Sequence, residues 1–195
     1  MENNFLILAY HTTDKLYSEY ADRLKKSLDL FGLPHHIFPI SSKGNWNNNT
    51  SYKPSFLYDM LVHYKDKHIV YVDADAEFKQ PPSLFYGLEN NCKTIGAHYL
   101  NHKLHKGINR PNELLSGTIY FNNNEETLDI VKQWKEICIK NPSLWDQKAL
   151  HQVVGEGAYC LPEEYCYIFD YKYNRKIEPV IMHYQASRKA RRLAT

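Results

Sequence analysis

The chain has 195 residues, is 43% hydrophobic and carries a formal charge of +2, enough length to bury one core without staples. So nearly neutral a balance argues neither for nor against nucleic acid, although Arg188, Lys189, Arg191 and Arg192 crowd basic charge into the last eight residues. The cysteines Cys92, Cys138, Cys160 and Cys166 form no C-x-x-C pair and no zinc spacing, the amino terminus lacks a signal-peptide pattern, and no apolar run approaches a membrane span. The expectation is a cytoplasmic protein with reduced thiols. Sixteen tyrosines offer flat faces and hydroxyls that suit stacking on sugars and bases, and equally an ordinary core edge.

Phe5-Leu6-Ile7-Leu8-Ala9-Tyr10 reads as a buried strand. Thr12, Thr13 and Asp14 cap a helix in which Leu16, Tyr20, Leu24 and Leu28 repeat at four-residue steps, and Gly32 and Pro34 stop it. His36-Ile37-Phe38 follows as a short strand, which makes a right-handed β-α-β opening. Ser41 to Tyr52 is polar and reads as a loop, with Trp46 either folded onto the core or placed for binding. Pro54 suits the first turn of a helix whose buried face is Phe56, Leu57, Met60, Leu61 and Tyr64.

That helix leads into His68-Ile69-Val70-Tyr71-Val72, a buried parallel strand running straight into Asp73-Ala74-Asp75 and Glu77. Alternation along a strand puts Asp73 and Asp75 on one side. Two carboxylates at a strand end repel unless a cation lies between them, and Mg²⁺ or Mn²⁺ prefers such oxygens. The competing reading is a turn, where aspartate is common for its own reasons. In open α/β sheets ligands gather at this end of the strands.

Past Pro82 a short helix precedes the strand Thr94 to His98. Asn101 to Asn112 is basic and polar and reads as a solvated loop or a lid facing an acceptor. Leu114 to Phe121 is a strand in which Ser116-Gly117 marks close approach of a ligand. Glu125 to Lys140 is a helix with Leu128, Val131, Trp134 and Cys138 on one face. Ser143 and Asp146 spell a capping box for the next helix, which Gly155 closes. Short strands lie between Tyr159 and Asp170, and Val180 to Tyr184 is the last strand. Residues 1–186 form one domain and 187–195 a basic tail.

The ordered set, an N-terminal strand, Lys53-Pro54, Asp73-Ala74-Asp75, Ser116-Gly117-Thr118, Trp145-Asp146-Gln147 and a late strand ending in His183, resembles the GT-A glycosyltransferases that use nucleotide-diphosphate sugars, especially small viral and bacterial single-domain members. The resemblance implies an α/β fold, Rossmann-like, with a mixed, mainly parallel central sheet flanked by helices. It implies a UDP- or GDP-sugar donor, a Mn²⁺ or Mg²⁺ cofactor, and a glycan, a protein or a modified base in DNA as acceptor. Tyr10, His11 and Thr12 would meet the base and ribose; Asp73 would face the ribose or metal, with Asp75 and His183 on the metal. Lys53, Ser116, Gly117 and Gln147 would lie beside the donor, and Asp146 would be the catalytic carboxylate. Arg188 and Lys189 could hold the diphosphate by charge-assisted hydrogen bonds. Two rivals remain at the level of sequence: a haloacid-dehalogenase-like phosphatase, which also carries D-x-D after a strand, and a non-catalytic nucleotide-sugar or nucleic-acid binding module.

Overall fold

The computed structural model describes residues 4–169 and 177–188. Strand β1 (Phe5–Thr12) is followed by helix α1 (Lys15–Leu30), β2 (His35–Ile40), α2 (Trp46–Ser51), α3 (Lys53–His63) and β3 (His68–Val72). Then come β4 (Ala76–Phe78), β5 (Ile95–Leu100), α4 (His102–Lys106), β6 (Glu113–Phe121), α5 (Glu125–Lys140), α6 (Asp146–Val154), β7 (Tyr159–Cys160), β8 (Tyr167–Ile168) and β9 (Ile181–His183). Single 3₁₀ turns at Ser83–Phe85, Leu88–Asn90 and Glu163–Tyr165 connect them, the first two standing where the sequence suggests a short helix.

Six strands form the main sheet in the order β2-β1-β3-β6-β5-β7. β6 runs antiparallel to both its neighbours, while β1 pairs parallel with β2 and β3, and β5 with β7. A second sheet, β4-β9-β8, packs at the side.

Period-two alternation builds the two cores. Leu6, Leu8 and Tyr10 of β1, with Ile69 and Tyr71 of β3, face a cluster that takes Leu57 and Leu61 from α3, Trp134 from α5 and Leu150 from α6. Phe5, Ile7 and Ala9, with Val70 and Val72, face a cluster containing Leu24 and Leu28 of α1 and Phe78 and Ile181 of the second sheet. Burial on both faces is why these strands read as unbroken apolar runs.

Two stretches that read as loops contain short helices. In 41–52, Asn45 caps α2 by accepting from the Asn48 amide (2.9 Å). In 101–112, Asn101 caps α4 by accepting from the Leu104 amide (3.0 Å), and Gly107 ends it at φ 66°. Asparagine serves turns and caps alike, so neither run announces a helix in sequence. The expected capping box is also absent: α6 begins at Asp146, its cap is Trp145 and no side chain makes the capping bond. Asp146 is turned inward instead.

All four cysteines are free thiols. No helix among the described residues is long and apolar enough to cross a membrane.

Candidate active site

β3 stops at Val72, and Asp73-Ala74-Asp75 form a tight turn in which the Ala76 amide donates to the Asp73 carbonyl (2.9 Å). The two acids therefore converge through a turn rather than through strand alternation. The turn carries the chain from the main sheet into β4 of the second sheet, and both sheets fasten it. The Asp73 amide donates to the Gly117 carbonyl on β6 (2.8 Å), and the Tyr184 amide after β9 donates to the Asp75 carbonyl (3.1 Å). Ala76 lies opposite His183 in the β4–β9 pair, which brings the histidine to the turn.

Asp73, Asp75 and His183 each offer one ligand atom, and these atoms lie within 4.8 Å of one another. His183 Nδ1 is 3.7 Å from Asp75 Oδ1, and the other Asp75 oxygen accepts from the Ala186 amide (2.7 Å). Gln185, between them, takes a left-handed φ of 55°, which turns the backbone so that this amide meets the carboxylate. His183 Nε2 lies 2.8 Å from the Thr118 hydroxyl. With Nε2–H donating to that oxygen, the Nδ1 lone pair faces the two carboxylates, the arrangement a metal-bound imidazole needs. A Cβ on Gly117 would sit 3.2 Å from His183 Cε1, 3.3 Å from Nδ1 and 3.6 Å from Asp73 Oδ2, so the absent side chain lets imidazole and carboxylate close together. Two carboxylates and an imidazole form a donor set that suits Mn²⁺ or Mg²⁺, and the residues fit such an ion. Burial works against the His183 imidazolium, but Cys166 and Asp75 favour it and push it up to about 10, so a cation entering the site would have to displace the Nδ1 proton before that lone pair could ligate it.

Lys53, at the start of α3, is buried beneath the turn. Its ammonium lies 3.0 Å from Asp73 Oδ1 and 2.9 Å from Asp146 Oδ2, and donates to the Ser116 carbonyl (3.1 Å). The Ser116 hydroxyl donates to the same Asp146 oxygen (2.9 Å), and the Tyr71 hydroxyl to Asp73 Oδ1 (2.9 Å). Burial disfavours the Lys53 cation, but Asp146 and Asp73 outweigh it and hold it well above the ordinary lysine value. Burial also raises the Asp73 carboxyl, with Lys53 opposing and Asp75 adding to the rise; its side chain keeps 39% of its exposure, so water tempers the effect.

The remaining residues singled out in the sequence divide. Gln147 accepts from the Ser116 amide (3.2 Å) and donates to Glu113 (2.6 Å), so it belongs to the same network. The Tyr10 ring is packed edge-on against Tyr52 and Phe56, and its hydroxyl donates to the Asn49 carbonyl (2.8 Å), so it stands in the core. His11 and Thr12 reach the carboxyl end of β1; the His11 ring meets the Thr12 carbonyl and the Thr12 hydroxyl donates to Asp14. Arg188 is exposed, and its amide donates to the Gln185 carbonyl (2.9 Å). Lys189 and the rest of the basic tail lie outside the described residues. Thr118 stands in the Ser116-Gly117-Thr118 motif but is given no role by the sequence, and Cys166 and Glu113 are neighbours that no sequence motif marks.

No curated protein matches the chain. Solved structures do. A glycosyltransferase involved in glycosylation of the major capsid of PBCV-1 superposes with a TM-score of 0.70 at 11% identity, covering 98% of this chain and 99% of that one. Galactosyltransferase LgtC, solved with donor and acceptor sugar analogues, gives a TM-score of 0.57 at 11% identity over 93% of this chain and 87% of its own. Glycosyltransferase GlyE of Streptococcus pneumoniae TIGR4 gives 0.63 at 13% identity, over 94% of this chain and 55% of its own. At such identities the likeness establishes the fold, which is that of the GT-A glycosyltransferases. The model of the nucleotide-diphospho-sugar transferases matches residues 42–193, a span that holds Lys53, the Asp73–Asp75 turn, Asp146 and His183, and the chain belongs to that family.

Proposed function

We propose that the chain is a metal-dependent glycosyltransferase that moves a sugar from a UDP- or GDP-sugar to an acceptor hydroxyl on a glycan, a protein or a modified base in DNA. The observation that carries this reading is the convergence of Asp73, Asp75 and His183 within 4.8 Å beside Gly117. Those three residues would hold Mn²⁺ or Mg²⁺, with the imidazole favouring Mn²⁺. When bound, such an ion stabilises the departing diphosphate as a Lewis acid.

The chain's own residues supply the rest. His11, Thr12 and the backbone of Tyr10, at the open end of β1, receive the base and ribose. Ser116 and Gly117 line the donor sugar, and Arg188 with Lys189 donates hydrogen bonds to diphosphate oxygens. Lys53 bridges Asp73 and Asp146, offsets their mutual repulsion and fixes both. The anomeric C–O bond to the diphosphate breaks with its electrons going to that leaving group, while an acceptor oxygen bonds the anomeric carbon and gives up its proton. Asp146 is the candidate catalytic carboxylate. Lys53 and Ser116 both engage its Oδ2, which leaves Oδ1 to accept a substrate hydroxyl, on the acceptor as a base or on the donor sugar as a positioning contact.

The test is turnover of a panel of UDP- and GDP-sugars, read as donor hydrolysis and as transfer. Activity should vanish in EDTA and return with Mn²⁺ or Mg²⁺. Undiminished turnover in EDTA would refute the metal-dependent reading.

A further inference from the structure

Trp145, immediately before Asp146, leaves 45% of its surface in solvent. Trp46 of α2 meets it edge-on, with ring centroids 5.9 Å apart and planes at 86°. The Trp46 that interrupts a polar stretch of sequence therefore pairs with a second tryptophan at the rim of the site. Lys148 places its ammonium 5.3 Å from the Trp145 ring centre. With Gln147, His151 and Gln152 on α6 and Glu113 and Leu114 on β6, Lys148 also lines a cleft of about 180 Å³.

The cleft lies at the reactive end of the sheet. β6 runs antiparallel to β3 with Thr118 opposite Val72, so Glu113 to Ser116 continue beyond the carboxyl end of β3, the end from which Asp73 and Asp75 turn. One hydrogen-bonded wall joins the cleft to the donor side. Gln147 donates to one Glu113 oxygen (2.6 Å), the other lies 2.9 Å from His102 Nε2, Gln147 accepts from the Ser116 amide (3.2 Å), and the Ser116 hydroxyl donates to Asp146 (2.9 Å). Glu113 thus fixes which end of the Gln147 amide faces Ser116, and the wall is held before any ligand arrives.

A pyranose ring has one face of C–H groups and a rim of hydroxyls. An exposed indole beside a largely apolar cleft that carries a few polar side chains matches both parts, the first by contact with the ring's face and the second through side chains such as Lys148 and Gln152. The volume is below the ~300 Å³ at which pockets begin to take drug-sized ligands, so the cleft seats one ring. A polynucleotide would need a row of cations against its phosphates; among the described residues that line it, the cleft offers Lys148 together with the acid Glu113.

We propose that this cleft and the Trp145 indole form the acceptor subsite, and that the acceptor is a saccharide whose terminal ring stacks on Trp145. The proposal rests on the transferase reading above. The test uses the full chain with Mn²⁺ and a donor that it hydrolyses, offering methyl α- and β-glucopyranosides, galactopyranosides and mannopyranosides as acceptors. Trp145→Ala should raise the acceptor KM at least 10-fold while the donor KM moves less than 3-fold, and Trp145→Tyr should recover most of the loss. A second readout needs no turnover. The chain has three tryptophans and Trp134 is fully buried, so a saturable fluorescence change on glycoside titration, with UDP and Mn²⁺ present, reports on Trp46 and Trp145 and should disappear in Trp145→Ala. An acceptor KM that Trp145→Ala leaves unchanged overturns the proposal. So does transfer to an oligonucleotide or a peptide with no fluorescence response to any glycoside. Absence of donor hydrolysis would instead fail the transferase reading, and the titration would still decide the cleft.

Discussion

Lys53→Met is the most informative single change. The lysine is 3% exposed and neutralises two carboxylates at once, Asp73 at 3.0 Å and Asp146 at 2.9 Å. Methionine conserves most of the volume but leaves the acids facing each other with no cation. Removing one partner of a buried ion pair costs about 3–5 kcal/mol, because a charge stays buried and uncompensated. Asp73 is 39% exposed and can recruit water, while the Asp146 side chain is 7% exposed and reaches solvent far less, so the lower end applies, about 3 kcal/mol. For a chain of this size each kcal/mol shifts Tm by roughly 2–4 °C, which gives a fall of about 6–12 °C. Thermal and urea unfolding measure it. Adding Asp146→Asn to Lys53→Met removes the orphaned charge and should restore at least half of the loss, a coupling that a double-mutant cycle isolates. A fall of less than 2 °C in the single variant, or a double variant less stable than the single, would show that the pair is not the buried cluster described here.

Gly117→Ala puts a methyl group 3.2 Å from the His183 ring and should weaken Mn²⁺ binding at least 10-fold with little change in Tm; titration calorimetry with Mn²⁺ decides, and unchanged affinity would mean that the ring has room to move. Thr118→Val removes the oxygen that orients His183 through Nε2, and loss of such an outer partner should cost about 10–100-fold in metal affinity, again measured with Mn²⁺ alone.

What could be read from the sequence follows from what each signal measures. The six apolar residues from Phe5 to Tyr10 and the run His68–Val72 show as strands because both faces are buried, and α5 shows because Val131, Trp134 and Cys138 keep a helical period. The acids of Asp73-Ala74-Asp75 are visible as chemistry, yet the turn that aims them comes from pairings with Gly117 and Tyr184, more than 40 residues away. Asp146 matches a capping box because the box records only spacing; the ammonium that draws the side chain inward sits on α3. Asn123 is a similar case. Its side-chain amide reaches the carbonyls of Leu61, Tyr64 and Lys67 at 3.0, 3.1 and 3.2 Å and closes the end of α3, but nothing near it in sequence marks it out.

Asp75 has two jobs that different substitutions separate. One oxygen faces His183 Nδ1 at 3.7 Å, and the other accepts from the Ala186 amide at 2.7 Å, which ties the segment after β9 to the turn. A hydrogen bond to a charged acceptor contributes about 1.5–3 kcal/mol, so Asp75→Ala should destabilise the chain by that amount as well as abolish metal binding. Asp75→Asn can still present its amide oxygen to Ala186, while its NH₂ group then faces the site as a donor and cannot ligate a cation. The asparagine variant should therefore lose Mn²⁺ binding and turnover with a Tm within about 3 °C of the parent, and the alanine variant should lose both and melt at least 3 °C lower still. Were the two variants equally stable, the Ala186 contact would contribute nothing, and Asp75 would serve the metal alone. Were Asp75→Asn to bind Mn²⁺ as the parent does, Asp75 would leave the ligand set and the site would have to be rebuilt around Asp73 and His183.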